Sequence, residues 1–186
     1  MDELIQLLIK ALSDEYQAAL QYIVHANQLR GLYRDPIADH LKEHADDEIA
    51  HADRLTIHLY SHGVDVTVEM PQFSIPSDTV GMLSQDLQDE GEAIDIYSQI
   101  VALCEDNEAL MDTKMLIEDI LVDEVEHQDE VAALLRAKAS GGGLTGGQRQ
   151  AAASALLRTA EVLDDREMVD EADKAVRLAG ELLETV

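Results

Sequence analysis

Tryptophan is absent, phenylalanine occurs once, and the 186 residues hold three prolines and one cysteine. A lone Cys104 forms no internal disulfide, and without a C-x-x-C pair the chain offers no thiolate site for zinc or iron. No apolar run reaches the roughly 18 residues that cross a bilayer, so no membrane-spanning helix is expected. The N-terminal MDELIQLLIKALSDEYQ starts acidic and has no small-residue cleavage pattern. It reads as a mature helix, and a cytoplasmic location is the expectation. Basic residues are also scarce: 13 Lys and Arg stand against 39 Asp and Glu, for a net charge of -26. Charge of this sign repels phosphate backbones and excludes nucleic acid as a partner, while permitting cations. A solvated acidic surface accounts for most of it.

Strand signals are nearly missing. Apolar residues alternate only in VDVTVEM, 64–70, and helical periodicity governs the rest. A first helix is expected over about 2–31, with Leu4, Leu8, Leu12, Glu15, Ala19, Tyr22 and Ala26 on one stripe and Gly31 at its end. Asp35 then Pro36 opens a second, about 36–61, with Leu41, Glu48, His51, Leu55 and Leu59 in line and Gly63 as its stop. A long connection with Pro71 and Pro76 follows. Ser77 is the expected cap of a third helix, about 78–104, striped by Leu83, Leu87, Glu90, Ile94, Tyr97 and Val101. After the break EDNE a fourth runs over about 108–138, with Ile117, Leu121, Glu124, Val131 and Leu135. Two short loops and one long middle connection predict an all-α four-helix bundle over 1–139. SGGGLTGGQ, 140–148, reads as a flexible linker, and 149–186 as a small helical hairpin that docks on the bundle or on another subunit.

The two halves of the bundle repeat. Glu15 and Tyr22 recur as Glu90 and Tyr97 with a spacing of 75, and DDEIAH at 46–51 recurs as VDEVEH at 122–127. Each half is thus a helix with one inward Glu, then a helix with Glu-x-x-His. Positions i and i+3 share a helix face, so Glu48 and His51 reach one point, as do Glu124 and His127. Four carboxylates and two imidazoles in a core are costly without compensating cations. Two divalent metals bring about four positive charges and balance them. Oxygen and imidazole donors suit iron or manganese. Asp47 and Asp123, one before each Glu, are candidates to hold a ligand His through its other ring nitrogen. His25, His40, His44, His58 and His62 read as surface or partly satisfied helix positions, not ligands, and Cys104 as a buried small apolar residue.

As a set, LSDEYQAALQYIVHA at 12–26, DDEIAHADR at 46–54 and LVDEVEH at 121–127 resemble the ferritin-like di-iron carboxylate proteins, bacterioferritin in particular, over about residues 3–138. The resemblance implies a ferritin-like bundle with two iron ions per subunit, manganese being the other candidate. It makes Glu15 and Glu90 terminal ligands, Glu48 and Glu124 bridges, and His51 and His127 ligands of one metal each, with Tyr22 and Tyr97 as catalytic side chains near the site. Glu92 is the alternative to Glu90, since it precedes Ala-Ile as a bacterioferritin ligand does. Glu90 is preferred because it shares the stripe of Leu87, Ile94 and Tyr97. The implied function is a ferroxidase for iron storage or detoxification, acting on Fe(II) with dioxygen or hydrogen peroxide in a homo-oligomer. A rubrerythrin-like di-iron or di-manganese peroxidase or catalase, and a non-catalytic scaffold that binds a partner through the hairpin, are the alternatives. The haem-ligating Met that follows the second-helix Glu in bacterioferritin is Ile49 here, so haem is not expected. The hairpin has no counterpart in the ordinary bacterioferritin chain.

Overall fold

The computed structural model describes residues 2–30, 34–70, 72–140, 146–164 and 168–184. Among them are α1 (Asp2–Gln28), α2 (Arg34–Ser61), α3 (Thr79–Cys104), a 3-10 turn (Glu108–Leu110), α4 (Met111–Ser140), α5 (Gly146–Asp164) and α6 (Val169–Glu184), with no strand. Every apolar stripe position predicted for the first four helices is buried, which is what a 3.6-residue period against a core requires. The chain forms two compact units, Met1–Ile75 with Ile96–Leu121, and Pro76–Asp95 with Val122–Val186.

In the first unit α1 packs along α2. The Tyr97 hydroxyl joins α3 to α1 through Glu15. His58 Nε2 lies 2.9 Å from Thr113 Oγ1, and Arg54 donates to Asp119, so both tie α2 to α4. Leu12, Leu41, Leu55, Ile100 and Ile117 are wholly unexposed. Gly63 ends α2 at a φ of 74°. Its N–H donates to the Tyr60 carbonyl at 3.0 Å, and Val64 N–H donates to Leu59 at 3.0 Å, the paired bonds that close a helix on a left-handed glycine. Val64, Val66 and Val68 then alternate, half-buried, with exposed Asp65, Thr67 and Glu69. The alternation marks an extended segment with one side against protein. No partner strand among the described residues makes it a ladder. At the break before α4, Asp106 takes a φ of 42°, and Asn107 caps the 3-10 turn by accepting from Ala109 N–H at 3.1 Å.

In the second unit the cap of α3 is Asp78, not Ser77. The Asp78 carboxylate accepts from Gly81 N–H at 3.0 Å and its carbonyl from Met82 N–H at 3.0 Å. A carboxylate at this end also meets the positive pole of the helix. α5 packs on α6, and both helices bury short side chains, among them Ala153, Ala155, Ala175 and Ala179. Both helices also engage α4. Gln128 Nε2 donates to Thr159 Oγ1 at 2.9 Å and lies 3.5 Å from the Leu87 carbonyl. Lys174 pairs with Asp129, and Arg136 with Glu181. The hairpin therefore shares a unit with the ends of α3 and α4. Helix extends into both ends of the expected linker, to Ser140 and from Gly146. Its centre, 141–145, lies outside the described residues, as do Gly31, Pro71 and the expected hairpin break at 165–166. No described helix is long and apolar enough to cross a membrane.

Candidate metal centre

Three turns into α1 the stripe meets Glu15. On α2, Glu48 and His51 stand on one face by their i, i+3 spacing. The three side chains are 4%, 1% and 2% exposed, well below anything an unpaired charge tolerates. A carboxylate oxygen from each Glu and one His51 nitrogen lie within 4.8 Å of one another. His51 Nδ1 is the facing atom, 3.3 Å from Glu48 Oε2 and 3.4 Å from Glu15 Oε2. The other Glu15 oxygen accepts from the Tyr97 hydroxyl. Tyr97 thus fixes how Glu15 turns and leaves Oε2, which has no hydrogen bond among the described residues, toward the triad.

The second unit repeats the arrangement. Glu90 comes from α3, and Glu124 and His127 from α4, all buried, with one donor atom each within 4.8 Å of the others. Glu92 is exposed and accepts from Gln88 at 2.8 Å instead. Of the predicted tyrosines, both buried, Tyr97 touches the first triad, while Tyr22 meets His44 edge-on with ring centroids 5.2 Å apart. Asp47 is exposed and Asp123 half-buried, and both have partners.

Each triad offers two carboxylates and one imidazole with no sulfur. Water-free carboxylates cost several kcal/mol each unless a cation offsets them. The donor set fits iron or manganese, and His51 would bind through Nδ1.

Several buried polar groups were not foreseen. Of the two alternatives expected for His25 and His44, surface or partly satisfied helix positions, burial at 0% and 2% exposure removes the first, and both side chains have partners. His44 lies four residues before Glu48 and seven before His51, so the stripe that carries the ligands already contained it. Gln128, 1% exposed, follows Glu124 by four and was equally on its stripe. Gly91 presses close to it: a Cβ there would sit 3.0 Å from Gln128 Nε2. Elsewhere, burial and the neighbouring His62 push the His58 imidazole down, with Asp112 opposing. Burial raises Asp95 despite Arg158, and burial and Asp112 raise the Cys104 thiol, consistent with an inert packing residue.

Residues 5–139 match the model of a family described as Ferritin-like domain. The chain is also similar to a solved structure from Bacillus anthracis strain Ames described as ferritin-like, diiron-carboxylate protein. The two are 28% identical with a TM-score of 0.68, over 72% of this chain and 96% of that one.

Proposed function

We propose, of a chain that belongs to the ferritin-like domain family, that its two buried triads hold a pair of iron ions and that the protein is a ferroxidase serving iron storage or detoxification. The observation that carries this reading is the repetition of one buried Glu, Glu, His triad in two halves of the chain. One such cluster could be a local ion-pair network. Two of the same composition, at matched spacing, in a family that includes a relative described as a diiron-carboxylate protein, support a dinuclear centre.

In this reading Glu15, Glu48, His51, Glu90, Glu124 and His127 would hold the metals, with Glu15 and Glu90 as terminal ligands, Glu48 and Glu124 as the shared carboxylates that the family resemblance implies, and one histidine for each metal. Two ferrous ions supply two electrons and become ferric, reducing dioxygen to hydrogen peroxide or hydrogen peroxide to two waters, with two protons consumed in either case. The carboxylates favour the more highly charged product ion, which drives the oxidation forward. Tyr97 acts as a positioning residue: its hydroxyl holds Glu15 Oε1 and presents Oε2. Asp47 and Asp123 are assigned to orienting the histidines. The proposed setting is a cytoplasmic homo-oligomer. Leu20, Ile23, Ile57 and Tyr60, exposed on α1 and α2, support self-association, since water disfavours such apolar side chains.

Anaerobic ferrous titration followed by oxidant, on the wild type and Glu48→Ala, tests the proposal. Two irons per chain with rapid oxidation, lost in the variant, is the expected result. Absence of saturable ferrous binding would overturn it. A small oligomer that oxidises ferrous iron but accumulates none would remove storage and leave the oxidase.

A further inference from the structure

A different cluster lies at the other end of α2. His58 and His62 stand one turn apart with ring centroids 4.4 Å from each other, and Asp112 faces them from the first turn of α4. One nitrogen from each ring and one Asp112 oxygen lie within 4.8 Å of one another. His58 is half-buried, and His62 and Asp112 are open to solvent.

Hydrogen bonding fixes which His62 nitrogen is bare. The Ser61 hydroxyl donates to the His58 carbonyl at 2.7 Å, so its oxygen can only accept from His62 Nδ1, 3.2 Å away. The same His58 carbonyl lies 3.0 Å from Nδ1 and also only accepts. Nδ1 therefore carries the proton. In the neutral ring Nε2 is then a lone pair, and it faces Asp112 Oδ2 at 3.3 Å. Two acceptors this close need a proton or a cation between them. A backbone carbonyl that holds one imidazole N–H is also what aims the other nitrogen at a metal.

We infer that His58, His62 and Asp112 form a surface site for a first-row divalent cation of the zinc(II) or iron(II) class. Two imidazoles and one carboxylate complete three tetrahedral positions and leave one for water. Hard cations such as magnesium, which prefer oxygen and hold their waters, are poorly served by two nitrogens. His58 is seven residues from His51, two turns and about 10 Å along the helix. A cation held here is thus concentrated near the first triad without sharing a ligand with it. The site stands whether or not the buried triads bind iron.

Diethyl pyrocarbonate acylates an imidazole only at a bare nitrogen, and peptide mapping by mass spectrometry reads each histidine separately. With Zn2+ at ten times its dissociation constant, mass action slows modification of His62 about tenfold. Protection of His58 and His62 by Zn2+ but not by Mg2+, reduced severalfold in Asp112→Asn, is the expected result. Asp112 is exposed, so the variant keeps its fold. Equal rates with and without Zn2+ would overturn the inference, leaving a simple imidazolium–carboxylate pair. Protection undiminished in Asp112→Asn would equally overturn the three-residue site. Zinc in the buried triads does not move this readout, because the reagent reports on His62 itself.

Discussion

Replacing Thr159 with Val tests how firmly α5 is held to α4. The substitution keeps the shape and removes the acceptor of the 2.9 Å bond from Gln128 Nε2. Gln128 is 1% exposed and Thr159 3%, so water does not replace the lost partner. A buried donor left unsatisfied costs about 1–3 kcal/mol. The Leu87 carbonyl, 3.5 Å from the same nitrogen, offsets part of that, which places the expected loss at about 1–2 kcal/mol. For a chain of this length each kcal/mol moves the melting temperature by about 2–4 °C, giving a drop of about 2–8 °C. Thermal unfolding followed by circular dichroism measures it, with Thr159→Ser, which restores an acceptor, as the control. A Thr159→Val protein melting within about 1 °C of wild type would refute the reasoning, because a loss of even 1 kcal/mol exceeds that shift.

Gly91→Ala should also destabilise: helix propensity favours Ala by about 1 kcal/mol, but overpacking against the tethered Gln128 amide costs about 1–3. A raised melting temperature would show that the amide moves aside freely. Saturating Mn2+ or anaerobic Fe2+ at about a hundred times the dissociation constant should stabilise the folded chain by about 2.7 kcal/mol per triad, roughly 5–11 °C, and Glu48→Gln should lose at least one increment; no shift in wild type would count against metal in both triads. Asp95 is raised by burial, so folding takes up a proton between the ordinary carboxylate value and the raised one, and stability contributed by this group falls as pH rises through that window. The melting temperature of Asp95→Asn minus that of wild type should therefore grow from pH 3.5 to pH 6; a flat difference would show no net shift. Tyr97→Phe should bind ferrous iron more weakly while Tyr16→Phe, outside the triads, leaves binding unchanged, and equal affinity in both would remove the positioning role.

Local periodicity alone makes most of the fold readable in the sequence. Leu12, Glu15, Ala19 and Tyr22 share a face because a helix turns every 3.6 residues, and that face is the buried one. Glu48 with His51, and Glu124 with His127, converge for the same reason. Gly63 was equally legible, since a left-handed φ at a helix end favours glycine. The cap of α3 was less so. Ser77 and Asp78 are both good caps, and only the backbone path decides which side chain reaches Gly81 N–H.

Contacts between distant residues lay beyond local pattern. Tyr97 and Glu15 are 82 positions apart, Gln128 and Thr159 31, and nothing in either neighbourhood announces the other. His44 and Gln128 lie on the ligand stripes, but spacing alone does not mark them as buried, because burial of a polar group depends on partners that tertiary packing supplies. By itself the sequence determined the helices, their inward faces and the two repeated Glu, Glu, His sets, because these follow from spacing along a helix. The tertiary structure alone decided that Tyr97 holds Glu15, that the hairpin docks on α4 through Thr159, and that Asp112 meets two histidines on α2, because each is a meeting of side chains that only the packed chain brings together.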